Sequence, residues 1–217
     1  MMRFRITYQK TEALRYTGNL DLQKIWERFL RRAELPVAYS QGFHPQARIQ
    51  QACPLPLGFL ALNEQLDIYL DNDQAAPATI IAQLQAAPYP GISILQVDSI
   101  DPAGPALSTQ VVSSDYRVEF LDPQDIAGLK SRVANVLEAG KIIRSRRGKE
   151  YDLRPLIEEL SLISGPNSDT PAFFLRLSAR QSATGRPEEV VSALGYDPFS
   201  ARYIRTRLIL STEKQPA

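Results

Sequence analysis

The order in which hydrophobic periods follow one another is the feature that most limits the fold of this chain. Arg3–Gln9 (RFRITYQ) alternates with period two, placing Phe4, Ile6 and Tyr8 on one side and Arg3, Arg5 and Thr7 on the other. That is the pattern of a strand with one buried face. In the next segment Leu22, Ile25, Trp26, Phe29 and Ala33 recur at helical spacing. A helix is expected there, with Asn19 as its N-cap, Asp21 in its first turn and Pro36 as its stop. A short strand through Arg48–Gln51 and a second alternating run at Glu64–Asp71 come next. APATIIAQLQAA then reads as a helix and GISILQVDSI as a strand, so the first part of the chain runs β-α-β-β-α-β.

After DPAGPALS (Asp101–Ser108), which has no period, the order recurs. SDYRVEFL reads as a strand and PQDIAGLKSRVANVLEAG as a helix. KIIRSRRGKEYDLRPLIEELSLIS reads as a strand or hairpin with an extended arm, PAFFLRLSA as a strand, GRPEEVVSALG as a helix and ARYIRTRLIL as a final strand. A βαββαβ order folds as a ferredoxin-like unit, with right-handed crossovers placing both helices on one face of an antiparallel sheet. The expected fold class is therefore α+β, two tandem ferredoxin-like units. The first spans 1–102 and carries a Pro/Gly loop. The stretch 103–110 is a linker, and the second unit spans 111–212 and carries a basic hairpin.

Among 217 residues there is one histidine, His44, and one cysteine, Cys53. A single thiol excludes an internal disulfide and a cluster held by this chain alone, so neither a metal nor another cofactor is expected. No apolar run is long enough to span a membrane, and the alternating start lacks the apolar core of a signal peptide. A cytoplasmic location without membrane contact is expected. Charge is uneven: residues 1–50 hold nine Lys/Arg against four Asp/Glu, 51–140 hold three against eleven, and 141–217 hold thirteen against nine. Basic ends suit a polyanionic partner if the fold exposes them together.

Two stretches concentrate candidate chemistry. Tyr39–Phe59 (YSQGFHPQARIQQACPLPLGF) gathers Tyr39, Ser40, Gly42, Phe43, Pro45, Pro54, Pro56 and Gly58 around His44 and Cys53. GFHP reads as a turn and PLPLG as a stiff extended arm anchored by Leu55 and Leu57. His44 is a candidate general acid or base for RNA cleavage, and Asp21 a candidate carboxylate for RNA modification. A loop histidine and a helix-starting aspartate are the structural alternatives. Lys141–Arg154 holds six Lys/Arg against two acids, and Arg144, Arg146, Arg147, Lys149 and Arg154 are candidate phosphate ligands. Arg205 and Arg207 in RYIRTRL form a possible basic row on the final strand, facing outward if Ile204 and Leu208 are core.

The chain also resembles the radical-SAM-linked protein family, a bacterial domain of unknown function fused to, or encoded beside, radical SAM proteins. The resemblance rests on Arg15-Tyr16, Leu20-Asp21, Arg31-Arg32-Ala33, Leu35-Pro36, Tyr39-Ser40, Gly42-Phe43-His44-Pro45 and Pro54–Gly58. RRGKEYDLRPLI, GRPEEVVSALG and IRTRL extend it toward the C-terminus. Where the family often has Ser-His-Leu-Asp, this chain has Gly18-Asn19-Leu20-Asp21. The resemblance implies a radical SAM protein as partner. With the basic hairpin, the expected function is a non-catalytic or accessory RNA-binding module acting with that partner in RNA modification or processing. The alternatives are an RNA-processing or RNA-modifying enzyme using His44 or Asp21, and a protein-interaction module that docks the radical SAM partner.

Overall fold

The computed structural model describes residues 1–146, 148–167 and 170–211. The chain divides into two compact units, Met1–Val111 and Val112–Ala217. Both mix helices with strands that pair mostly antiparallel. Five α-helices lie among the described residues, and none is long and apolar enough to cross a membrane.

In the first unit the elements are β1 (Met2–Lys10), α1 (Asn19–Arg32), β2 (Ile49–Gln51), β3 (Leu60–Leu70), α2 (Pro77–Ala86), β4 (Ile92–Ile100) and α3 (Leu107–Gln110). The strands lie in the order β2–β3–β1–β4. Register sets Phe4 opposite Ile68 on one side and opposite Ser99 on the other. Phe4, Ile6 and Tyr8 join Leu66, Ile68 and Leu70 in one core with Leu22, Trp26, Phe29 and Leu30 of α1 and Ile80 and Leu84 of α2. Both helices therefore cover the same face. Trp26 is fully buried and meets the Tyr8 ring edge-on at 4.8 Å, an arrangement aromatic pairs favour.

Three local expectations change. Gly18, extended at φ −72° and ψ 165°, is the N-cap of α1, and Asn19 is its first helical residue. Gly18 O accepts the first helical bond, from the Leu22 N–H at 2.9 Å, and no side chain caps the helix start. β3 begins at Leu60, ahead of the alternating run that marked it in the sequence. Most consequentially, the polar side of β1 is not solvated. Arg3 and Asp67 are fully buried and Arg5 is nearly so. Arg3 donates to Asp67 Oδ2 through Nε at 2.9 Å and Nη2 at 2.6 Å, and Arg5 donates to Oδ1 from Nε at 2.8 Å. Arg3 also donates to Gly104 O at 2.9 Å and Pro105 O at 2.8 Å. The stretch after β4 is thus tied to the sheet, and α3 follows it with Leu107 fully buried.

The second unit holds β5 (Val111–Phe120), α4 (Ile126–Glu138), β6 (Ile143–Arg146), β7 (Lys149–Asp152), β8 (Ile157–Asn167), β9 (Thr170–Arg180), β10 (Ala183–Thr184), α5 (Pro187–Ala193) and β11 (Ala201–Leu210). β5 lies between β9 and β11, and β8 and β10 both pair with β9. Asp125 caps α4, accepting from Ala127 N and Gly128 N at 3.1 Å each, which satisfies two of the donors a helix start leaves open. Leu129, Val133 and Val136 give α4 its buried stripe. The basic stretch after α4 resolves into β6 and β7, a two-stranded ribbon hydrogen-bonded to no other strand among the described residues.

Candidate nucleic-acid interface

Arg146 pairs with Lys149, so Gly148 lies in the turn between β6 and β7. Gly148 takes φ 75°, a left-handed conformation that suits glycine in a two-residue hairpin turn. Arg147 itself lies outside the described residues. At the base, Asp152 Oδ1 accepts from Ile142 N at 2.8 Å and Arg154 N at 3.0 Å, and Leu153 N donates to Ile142 O at 2.8 Å. Asp152 locks the base through backbone N–H groups.

Register decides which cations share a face. Arg144 is opposite Tyr151, and Arg146 is opposite Lys149. Opposed residues and residues two apart project from the same side of a strand pair, so these four side chains line one face. Arg144 is spent on α5: its Nε donates to Glu189 Oε2 at 3.0 Å and its Nη2 bonds Ser192 Oγ. Arg154 is spent on the end of α4, donating to Leu137 O at 2.9 Å and to Ile157 O at 3.2 Å. The side chains of Arg146 and Lys149 make no hydrogen bond or ion pair to the described residues, and neither does that of exposed Lys141. Two like charges face to face cost stability.

Beneath the ribbon lie two buried polar atoms without a hydrogen-bond partner, Tyr151 Oη and Glu188 Oε2. Burial, helped by the Glu189 charge, raises the Tyr151 phenol above its ordinary range. Burial is also the first cause raising the Glu188 carboxyl, with Glu189 adding and Arg186 and Arg146 opposing. A carboxyl raised in the folded state holds its proton more tightly there than in the unfolded chain. Its favourable contribution is complete below the ordinary Glu value and is lost as pH rises through the raised one. Glu188→Gln should therefore gain stability over the wild type at pH 7, with the gain disappearing near pH 4. Urea unfolding at both pH values checks this, and an equal difference at the two would contradict it.

The expected basic row on β11 is corrected. Arg205 is 1% exposed and cannot present its charge to a ligand in solvent, whereas Arg207 is exposed. Tyr203 and Arg205 are buried while Arg207, on the same side of the strand, is exposed, and Leu208, Ile209 and Leu210 are all buried, so burial here follows position along the strand and not alternation.

In the first unit the Pro/Gly loop separates into two parts. Tyr39 bridges Ala47, Ser40 N donates to Gln46 O at 2.8 Å, and Ser40 Oγ accepts from Gln46 N at 2.9 Å. These bonds pinch off a tip in which Gly42, Phe43, His44 and Pro45 are all exposed, Phe43 completely. In the arm that follows, Leu55 is buried but Leu57 is 64% exposed, so Leu55 alone is the anchor and Leu57 is not. Pro54 is exposed, and Pro56 and Cys53 are half-buried. Gly58 N donates to Arg15 O at 3.0 Å, and Arg15 Nε returns a bond to Gly58 O at 3.0 Å. Lys10, 1% exposed, donates to Arg15 O, Thr17 O and Phe59 O at 3.2–3.3 Å. This clamp fixes Arg15–Asp21 beside the arm, leaving Tyr16, Leu20 and Asp21 exposed. Lys10 was not among the residues singled out from the sequence, although it continues the parity of Phe4, Ile6 and Tyr8. Leu55→Ala should cost about 2–5 kcal/mol, while His44→Ala should stay within about 0.5 kcal/mol. Chemical denaturation ranks the two, and a larger loss at His44 would reverse the roles given to arm and tip.

A family model described as "Uncharacterized protein conserved in bacteria (DUF2344)" matches residues 3–187. No curated protein gives a significant match. Among solved structures, a chain of a Cbf5–Nop10–Gar1 complex has a TM-score of 0.50 at 10% identity, covering 94% of this chain and 48% of that one. A chain of an H/ACA RNP bound to a substrate RNA containing 2′-deoxyuridine has a TM-score of 0.48 at 12% identity, covering 94% and 47%. A chain of the archaeal box H/ACA sRNP Nop10–Cbf5 complex has 0.46 at 11%, covering 95% and 48%. The likeness to the first of these is one of fold, and the chain spans about half the length of each of the three.

Proposed function

This chain belongs to the family of uncharacterized proteins conserved in bacteria, DUF2344, and we propose that it serves there as an RNA-binding module acting beside a radical SAM protein. The observation that carries the proposal is the ribbon tip, where Arg146 and Lys149 stand opposite each other without ion-pair partners among the described residues. Phosphate is the ligand class that resolves this repulsion. The strand orders of the two units support their description as tandem ferredoxin-like units, and the fold shared with a chain of the Cbf5–Nop10–Gar1 complex is consistent with them. The test is fluorescence anisotropy with a short single-stranded RNA across a salt series. Binding should weaken with salt, with a log–log slope of about −0.7 for each phosphate contact. Absence of binding at low salt would refute the proposal.

The radical SAM partner rests on the resemblance in the Arg15–Gly58 motifs. Tyr16, Leu20 and Leu57, exposed by 74%, 79% and 64%, offer that partner an apolar contact on a clamped backbone. Co-purification of the chain with a radical SAM protein should be lost in Tyr16→Ala/Leu57→Ser. A second reading, an RNA-modifying enzyme, is favoured by one observation: Asp21 is exposed in the first turn of α1 on the loop that carries Tyr16. In that case Asp21→Asn abolishes turnover while RNA affinity is kept. His44→Ala is the matching test for the exposed loop histidine.

A further inference from the structure

A groove of about 360 Å³ opens in the second unit, between α4, the entry to the ribbon and the end of α5. Its size falls within the range of small-molecule sites. Val136, Ala139 and Ile142 give it an apolar floor, and Arg132 and Asn135 give it polar groups. Arg132 and Asn135 are three residues apart on α4 and so lie on one side of that helix. Arg132 is an exposed cation with no carboxylate partner among the described residues. Its position is nevertheless fixed. Nη1 donates to Leu194 O at 3.0 Å, and the guanidinium lies 5.2 Å from the centre of the Tyr196 ring. Gly195, at φ 83°, makes room for it, because a Cβ there would collide with Arg132 Nη1. By contrast, the other arginine of the groove, Arg144, is already neutralised by Glu189.

We propose that this groove is a subsite for one nucleotide of a single-stranded RNA, its phosphate on Arg132, its base on the apolar floor and the base edge read by the Asn135 amide. The proposal rests on the RNA-binding function inferred above and extends it to residues outside the ribbon tip. A pre-positioned, uncompensated guanidinium selects an anion, and a guanidinium binds phosphate oxygens in a fixed geometry. The floor is far larger than inorganic phosphate needs, and an amide supplies both a donor and an acceptor to a base edge.

The test is titration of the full chain with a nucleoside 5′-monophosphate, followed by calorimetry and by NMR of the arginine Nε–H signals. Inorganic phosphate and the parent nucleoside serve as comparison ligands. The monophosphate should bind saturably, shift the Arg132 signal and bind at least tenfold more tightly than phosphate alone. Arg132→Gln should reduce affinity at least tenfold. Asn135→Leu, which leaves the Arg132–Leu194 bond in place, should also reduce it. Ribbon binding is scored separately, by the anisotropy salt series with single-stranded RNA, so a failure of the ribbon as an RNA contact is distinguishable from a failure of the groove. No saturable binding, equal affinity for phosphate, or unchanged affinity in both Arg132→Gln and Asn135→Leu would overturn the proposal.

Discussion

Asp67→Asn should destabilise the protein by about 3–5 kcal/mol, the range for breaking one side of a buried ion pair. Asp67 pairs with both guanidiniums on the buried side of β1, accepting four bonds of 2.6–3.1 Å from Arg3 and Arg5. An amide keeps the shape but removes the charge that compensates two desolvated cations. Domains are typically stable by about 5–15 kcal/mol, so the loss is a large fraction of the whole. For a chain of this size it corresponds to roughly 6–20 °C in Tm. Asp71→Asn, at an exposed position after β3, should stay within about 0.5 kcal/mol. Arg3 also holds Gly104 and Pro105, so hydrogen exchange in residues 101–107 should accelerate in Asp67→Asn and not in Asp71→Asn. A cost below 1 kcal/mol for Asp67→Asn would show that the triad does not hold this face.

The second large effect concerns RNA. Arg146→Ala/Lys149→Ala should lower affinity for a short single strand about tenfold or more at low salt and flatten the salt slope by about 1.4, two contacts at roughly 0.7 each. Stability should not fall, because the substitutions remove a like-charge pair from Arg146↔Lys149. Arg144→Ala should behave differently. It breaks the Glu189 and Ser192 bonds, so it should loosen the ribbon and lower stability with less change in the salt slope. If Arg144→Ala and the double variant change the slope equally, the division of the cations into structural and ligand-facing groups is wrong.

Short-range periodicity made much of the architecture legible. Leu22, Trp26 and Phe29 were placed inside by helical spacing and are buried, and Phe4, Ile6 and Tyr8 were placed inside by alternation and are buried. The same rule failed for Arg3, Arg5 and Arg205 because alternation assigns polar residues to solvent. The carboxylate that makes burial of Arg3 possible lies more than sixty residues away in β3. The basic stretch Lys141–Arg154 was visible as charge. Which of its cations are available was not, since that depends on Glu189, Ser192 and the Leu137 carbonyl. Glu189, in the first turn of α5, neutralises Arg144. Arg132 and Asn135 carried no signal beyond their place on the outer side of α4, because a groove is formed by elements that sequence order keeps apart.

The central claim is that the ribbon touches RNA, and site-resolved photocrosslinking tests it most directly. A single-stranded RNA carrying 4-thiouridine, bound at low salt and irradiated, should leave adducts concentrated in peptides spanning Lys141–Tyr151, and these should be lost in Arg146→Ala/Lys149→Ala. Efficient crosslinking confined to the Tyr39–Gly58 loop or to α1, with no adduct in the ribbon, would contradict the account.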